Sequence, residues 1–247
     1  MKLAVAVGAM IALLSLSCSA SEACGVEVKV VLSPSEKTRA IEALGLKNEQ
    51  KGEVFFYDTK ALDLFKEGVI LRIRRGEADN DLTVKLRPPN ESSFSDPSNG
   101  KEDFKCEGDL NNGAVKPSYS IKSDFSKKAP ASGEDFEKHL SKGQKKLLEA
   151  AAVSVPWKQV KRIANVRSTN WERKKTEDTP KLSMELWQWK PSGSVLEMSV
   201  KVEESAAHSA ETQLKQIATS SSLMLVTDSK PKIRAVLESF AASEGNF

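Results

Sequence analysis

Five stretches of this 247-residue chain alternate ionic and apolar residues with a period of two. They are Glu27-Val28-Lys29, Arg72-Ile73-Arg74, Lys85-Leu86-Arg87, Lys105-Cys106-Glu107-Gly108-Asp109, and the run from Glu197 to Glu203. A β-strand turns successive side chains to opposite faces, so each stretch separates its charges from its apolar residues. A single strand of this kind reads as a solvated outer face. Five of them, mixing Lys and Arg with carboxylates, predict a surface suited to a polyanion together with a metal cation. The formal charge of +3 is too balanced to indicate nucleic-acid binding, so any positive field must come from local arrangement. Aromatics make up 6% of the chain, which argues against a stacking platform for bases.

Residues 1–20 read as an export signal. Lys2 supplies the positive start, an apolar run extends from Leu3 to Leu16, and Cys18-Ser19-Ala20 places small residues before a cut. The run is short for a bilayer span, so the mature chain is expected to carry no transmembrane segment. A lipoprotein anchored at Cys18 is the alternative, although Ser15 stands where the lipid-attachment pattern has a branched apolar residue. Cleavage leaves Cys24 and Cys106. In an oxidising compartment they either pair or sit as two small buried hydrophobes.

Ser33-Pro34-Ser35-Glu36 predicts a capping box that opens a helix ending at Leu44-Gly45. Strands follow over 54–59, 69–75, 82–87 and 104–109, with a short turn closed by Gly68 and a loop over 88–100. A polar linker over 127–133 leads to a second capping box, Ser141 to Gln144, and a helix over 145–153. Strand-like sequence resumes over 155–166, 182–189 and 195–202, and two helices, 209–220 and 231–242, finish the chain. The order describes an α+β protein with a mostly antiparallel sheet. Its ionic parity faces either solvent or the inside of a closed barrel.

The block Phe56-Tyr57-Asp58-Thr59, then Asp63 to Arg75 with its Leu71-Arg72-Ile73-Arg74, resembles the CYTH family, the triphosphate tunnel metalloenzymes. Thr83-Val84-Lys85-Leu86-Arg87 matches the family's next strand. The likeness spans about 25–205 and is most specific over 56–87. It implies an eight-stranded antiparallel β-barrel with an ionic interior and helices packed on its outside. The corresponding division is a signal over 1–20, a tunnel domain over 24–205 and C-terminal helices over 206–247.

The resemblance also implies roles. Arg72, Arg74, Lys85 and Arg87 share one parity and would cradle a triphosphate, guanidinium groups bidentately and ammonium groups as point charges. Lys29 would join them from the first strand, with Lys105, Lys201 and, more loosely, Arg167 adding substrate contacts. Glu27, Glu107, Glu197 and Glu203 would hold Mg2+ or Mn2+, which demand hard oxygen ligands; Glu185 is an additional wall residue. The metal would bridge phosphate oxygens while water attacks the terminal phosphorus. Each carboxylate can instead be a counter-ion to a cradle base.

Two departures bear on catalysis. Gly25 stands where the family opens with a Glu, and Ser199-Lys201 interrupts the final acidic strand. The leading expectation is an exported, divalent-metal-dependent phosphohydrolase acting on inorganic triphosphate, polyphosphate or an organic triphosphate. A non-catalytic binder of phosphorylated ligands is the alternative, and an adenylyl cyclase ranks third. No Gly-rich phosphate loop and no nucleophile elbow is present.

Overall fold

The period-two pattern becomes the wall of a closed barrel. A computed structural model describes residues 24–88, 94–111, 113–176 and 180–243; the expected signal over 1–20 and the Cys18 anchor lie outside the described residues. Along the chain the strands are β1 (Gly25–Leu32), β2 (Lys47–Asp58), β3 (Val69–Gly76), β4 (Asn80–Leu86) and β5 (Asp103–Asn111). They continue as β6 (Ala114–Asp124), β7 (Lys161–Arg173), β8 (Leu182–Trp189) and β9 (Gly193–Val202). Around the barrel the order is β1-β5-β6-β4-β3-β2-β7-β8-β9, and β9 pairs back onto β1.

The described residues therefore form nine strands, not eight, and the barrel is mixed, not antiparallel. β1 and β5 run parallel from Gly25↔Glu107 to Glu27↔Asp109. The sequence expectation omits β6. Pro117 and the serines at 118, 120 and 123 dilute its apolar alternation, yet it pairs with both β4 and β5. The parallel junction has just three register pairs, and a Cys24–Cys106 disulfide, with Cα atoms 5.1 Å apart, ties it beside the first of them.

Among the described residues six α-helices accompany the strands: α1 (Lys37–Ala43), α2 (Asp63–Lys66), α3 (Gly133–Glu137), α4 (Lys142–Ala150), α5 (Ala207–Ser220) and α6 (Lys232–Ser243). One flank buries Val26, Val28 and Val30 of β1 with Met198 and Val200 of β9 under Ala210 and Leu214 of α5. The other flank buries Leu71, Ile73, Leu82 and Val84 under Phe136, Leu147 and Leu148 of α3 and α4. Such burial contributes roughly 25 cal/mol per Å² of apolar surface, which is why the apolar parity turns outward to the helices. The ionic parity is left facing the lumen.

The two expected capping boxes behave differently. Ser141 accepts from the Gln144 backbone while Gln144 returns a bond to Ser141, and the Gln144 amide also donates to Leu82 and Ile121 carbonyls at 2.9 and 3.1 Å. Ser33 makes no cap; its hydroxyl meets Ser35 instead, and Pro34–Glu36 forms a 3-10 turn ahead of α1.

α6 lies across one end of the barrel. Its Ile233, Val236 and Leu237 pack with Val54, Phe56, Ile70, Val166 and Trp187. Val54 and Phe56 stand directly opposite Arg74 and Arg72, so they share the inward parity. The helix therefore seals that end with an apolar plug.

Candidate anion-binding site in the lumen

Backbone register brings the expected basic residues together. Arg72 faces Thr83 and Arg74 faces Asp81 across β3 and β4, while Thr83 faces Lys122 and Lys85 faces Ser120 across β4 and β6. Directly opposite residues share a sheet face, so Arg72, Arg74, Lys85 and Lys122 all point into the lumen. The Tyr57-Asp58-Thr59 element that carries the resemblance works from outside. Buried Asp58 accepts from the backbone N–H groups of Thr59, Leu64 and Phe65 at 2.7, 3.0 and 2.9 Å, which caps α2. α2 leads to Gly68, whose φ of +80° and whose carbonyl bond to the Arg87 N–H at 2.7 Å fix the height of β3 against β4.

The cradle quartet divides into two groups of different character. On the β1–β5 side every charge is answered. Lys29 Nζ lies 2.9 Å from Glu27 and 2.7 Å from Asp109, and Arg87 Nη2 lies 3.1 Å from Asp109. Lys85 Nζ is 3.6 Å from Glu107 and 3.9 Å from Asp109, and Lys201 Nζ is 2.6 Å from Glu107. Burial opposes ionisation of Glu107, but the Lys201 hydrogen bond and the Lys85 charge hold its carboxyl at about 2. Asp109 is held well below the ordinary carboxylate range against the same burial penalty by Lys29, Lys85 and Arg87. Lys85 moves the other way. Burial outweighs Asp109, and Arg87 adds repulsion, so its ammonium is pushed down to about 8.

In the second group the carboxylates Asp81, Glu185 and Asp79 attract Arg72 without touching it, and Thr83, which accepts from Arg72, donates to Asp81 at 2.5 Å. Arg72 is 9% exposed; its Nη2 donates to Thr83 Oγ1 at 3.3 Å, its Nε has no partner, and among the described residues no carboxylate forms an ion pair with it. Burial, with the like charge of Arg74 beside it, pushes Arg72 down to about 10. Arg74 Nη1 reaches Asp79 at 3.1 Å at the rim. Lys122 is lowered chiefly by burial, against the attraction of Asp81 and with the repulsion of Arg74 and Arg72 added. A buried guanidinium without a carboxylate is costly unless an anion completes it. A small cleft at the Gly52–Gly76 end of β2 and β3 is lined by Arg74, Asp79, Ser168, Asn170, Glu185 and Gly52.

Lys232 of α6 stands between the two groups. Its ammonium is bonded to Glu185, lies 2.7 Å from Glu197, and sits 4.5 Å above the centre of the Trp187 ring. Glu185 and Glu197 are direct cross-strand partners. Burial opposes the charge on Glu185, yet Lys232 and Arg74 hold its carboxyl at about 2.

Four expected site residues lie apart from the lumen centre, among them Lys201, whose side chain is 69% exposed even as it reaches Glu107. Lys105 has the inward parity but is exposed at the rim, 3.3 Å from Asp103. Arg167 stands opposite Glu53 on the outer face and is exposed, because Val54 and Val166 take the inward parity there. Glu203 follows the end of β9 and is exposed, so it is no wall residue. Sequence reasoning missed Lys122 and Lys232. The Ser118-Tyr119-Ser120-Ile121-Lys122 alternation was the signal for Lys122; nothing local distinguished Lys232.

Among the described residues no three carboxylate, imidazole or thiolate groups converge on a point. Glu27, Glu107 and Glu197 each hold an ammonium at 2.9, 2.6 and 2.7 Å, from Lys29, Lys201 and Lys232. A divalent ion needs several hard oxygens to itself, so this donor set as arranged does not fit one.

No family model matches the chain, and no curated protein matches it. Solved structures do. One is a candidate adenylyl cyclase from Hippeastrum described as having a dominant triphosphatase activity: 19% identity, 86% of this chain and 94% of that one, TM-score 0.61. A candidate adenylate cyclase from Bacillus halodurans aligns at 17% identity over 86% of this chain and 96% of that one, with a TM-score of 0.56. The chain has the fold of these CYTH-type proteins.

Proposed function

We propose that the lumen binds the phosphate chain of inorganic triphosphate, polyphosphate or an organic triphosphate, and that the protein hydrolyses it. The observation that carries this reading is Arg72, a buried lumenal guanidinium that makes no direct ion pair among the described residues and leaves its Nε unpartnered, flanked by Arg74 and Lys122. Phosphate oxygens are the complement of that group, since a guanidinium presents paired donors to two oxygens at once. The triphosphatase activity described for the Hippeastrum protein of the same fold supports the reaction class.

In this scheme the phosphate chain lies along Arg72, Arg74 and Lys122 toward Lys85. The basic groups absorb charge on the phosphoryl oxygens as water adds to the terminal phosphorus and the bond to the leaving phosphate breaks. Lys85, held near 8, is poised to exchange a proton with a phosphate oxygen near neutral pH. The Cys24–Cys106 disulfide suits an oxidising compartment, which supports export. Among the described residues no helix is long and apolar enough to cross a membrane.

A second reading, a binder without turnover, is favoured by the ammonium groups of Lys201 and Lys232 on Glu107 and Glu197. Orthophosphate release from tripolyphosphate by residues 21–247 separates the two. Release that disappears in Arg72→Ala supports the hydrolase; tight binding with no release at neutral to alkaline pH supports the binder.

A further inference from the structure

We infer that Lys232 is a tethered cation that takes the place of a divalent metal between Glu185 and Glu197. The two carboxylates are direct partners on β8 and β9 and face the lumen side by side. Two facing carboxylates in a closed barrel repel each other, and both stay ionised only with a cation between them. Here the cation is supplied by the chain. The Lys232 ammonium bonds Glu185 and lies 2.7 Å from Glu197, with side-chain exposures of 13%, 20% and 8% for Lys232, Glu185 and Glu197.

The rest of α6 is built to hold that ammonium in place. Ile233, Val236 and Leu237 are buried against Val54, Phe56 and Trp187, and the Trp189 indole N–H donates to Ser239 Oγ at 3.1 Å. The Trp187 ring lies under Nζ at 4.5 Å, so the cation rests on a π face as well as on two carboxylates. Charge bookkeeping closes locally: Lys232 and nearby Arg74, which attracts Glu185, offset the two carboxylates. A divalent ion at this pair would have to expel a buried ammonium anchored through a packed helix. The inference does not rest on the hydrolase reading, because it concerns metal uptake in the absence of any phosphate.

The test is titration with Mn2+ alone, followed by electron paramagnetic resonance, on the wild type, Glu197→Gln, Lys232→Met and Lys232→Met/Glu197→Gln. Methionine keeps an apolar stem against Trp187 while removing the charge. Wild type and Glu197→Gln should show the same weak uptake, and Lys232→Met should gain one site at least tenfold tighter, which the double variant loses. Wild-type uptake that Glu197→Gln abolishes overturns the inference. So does a folded Lys232→Met protein that binds Mn2+ no more tightly than the wild type. If Lys232→Met does not fold, the wild-type and Glu197→Gln comparison decides by itself.

Discussion

Arg72 Nη2 donates to Thr83 Oγ1 at 3.3 Å, while its Nε has no partner and no carboxylate among the described residues pairs with it directly. A buried charge so poorly answered destabilises the free protein, and the fold retains it where an anion can reach it. Arg72→Met should therefore raise the unfolding free energy by about 1–3 kcal/mol while weakening tripolyphosphate binding at least tenfold. Urea denaturation and calorimetry on the same preparation read the two effects. A variant that loses stability and affinity together would assign Arg72 to structure.

Lys85 gives the pH dependence its sign. Its ammonium, pushed down to about 8, is charged below that pH and neutral above it. Affinity for tripolyphosphate should fall as pH rises from 7 to 9, and binding near pH 8.5 should take up a proton, since bound phosphate favours the charged form. Calorimetry in two buffers of different ionisation enthalpy measures that uptake. Lys85→Met should remove both the proton uptake and this part of the pH dependence.

Acid stability depends on the opposite shift. Glu107 and Glu185 are held at about 2, below their ordinary 4.5. Their contribution is complete above pH 4.5 and is lost as pH falls toward 2, because protonation breaks their pairing with Lys201, Lys85 and Lys232. Melting temperature should be flat near neutrality and drop steeply across that window. Glu185→Gln should flatten part of the drop.

The disulfide closes the weakest seam of the barrel. Cys24 and Cys106 are 82 residues apart in sequence and flank the three-pair parallel junction of β1 and β5. By loop-closure entropy the bond contributes about 4–5 kcal/mol. Cys24→Ser/Cys106→Ser should lower the urea midpoint accordingly, and hydrogen exchange should increase first in β1 and β5.

Much of this was legible in the sequence, and what was missed has physical causes. Strict alternation in β1, β3, β4 and β9 revealed both the strands and the lumenal residues Glu27, Lys29, Arg72, Arg74 and Lys85. Parity predicts a face only inside a strand, which is why Glu203, just beyond β9, is exposed. Arg167 failed because Val166, beside it on β7, turns inward opposite Val54 and leaves Arg167 on the outer face opposite Glu53. β6 and Lys122 were obscured by serines and Pro117. Lys232 could not be read at all: it reaches Glu185 over 47 residues of separation through the docking of a helix. The same long-range assembly put counter-ions on Glu27, Glu107 and Glu197, leaving the expected metal donors occupied.

A turn outside the lumen sets its geometry. Gly68 has φ of +80°, and a Cβ there would lie 2.1 Å from the Arg87 carbonyl oxygen. Gly68→Ala must displace the backbone at Arg87 and should cost about 1–3 kcal/mol. It should also weaken anion binding by moving Arg87 away from Asp109, now 3.1 Å distant. Melting temperature and tripolyphosphate affinity should fall together here, unlike in Arg72→Met.

The central claim is that an anion completes the lumenal guanidinium. Isothermal titration of tripolyphosphate into residues 21–247 and into Arg72→Met, both shown folded by circular dichroism, tests it most directly. One bound anion per wild-type chain, with at least tenfold weaker binding in the variant, is the expected result. Equal affinity in the two proteins, or no heat with the wild type, would contradict it.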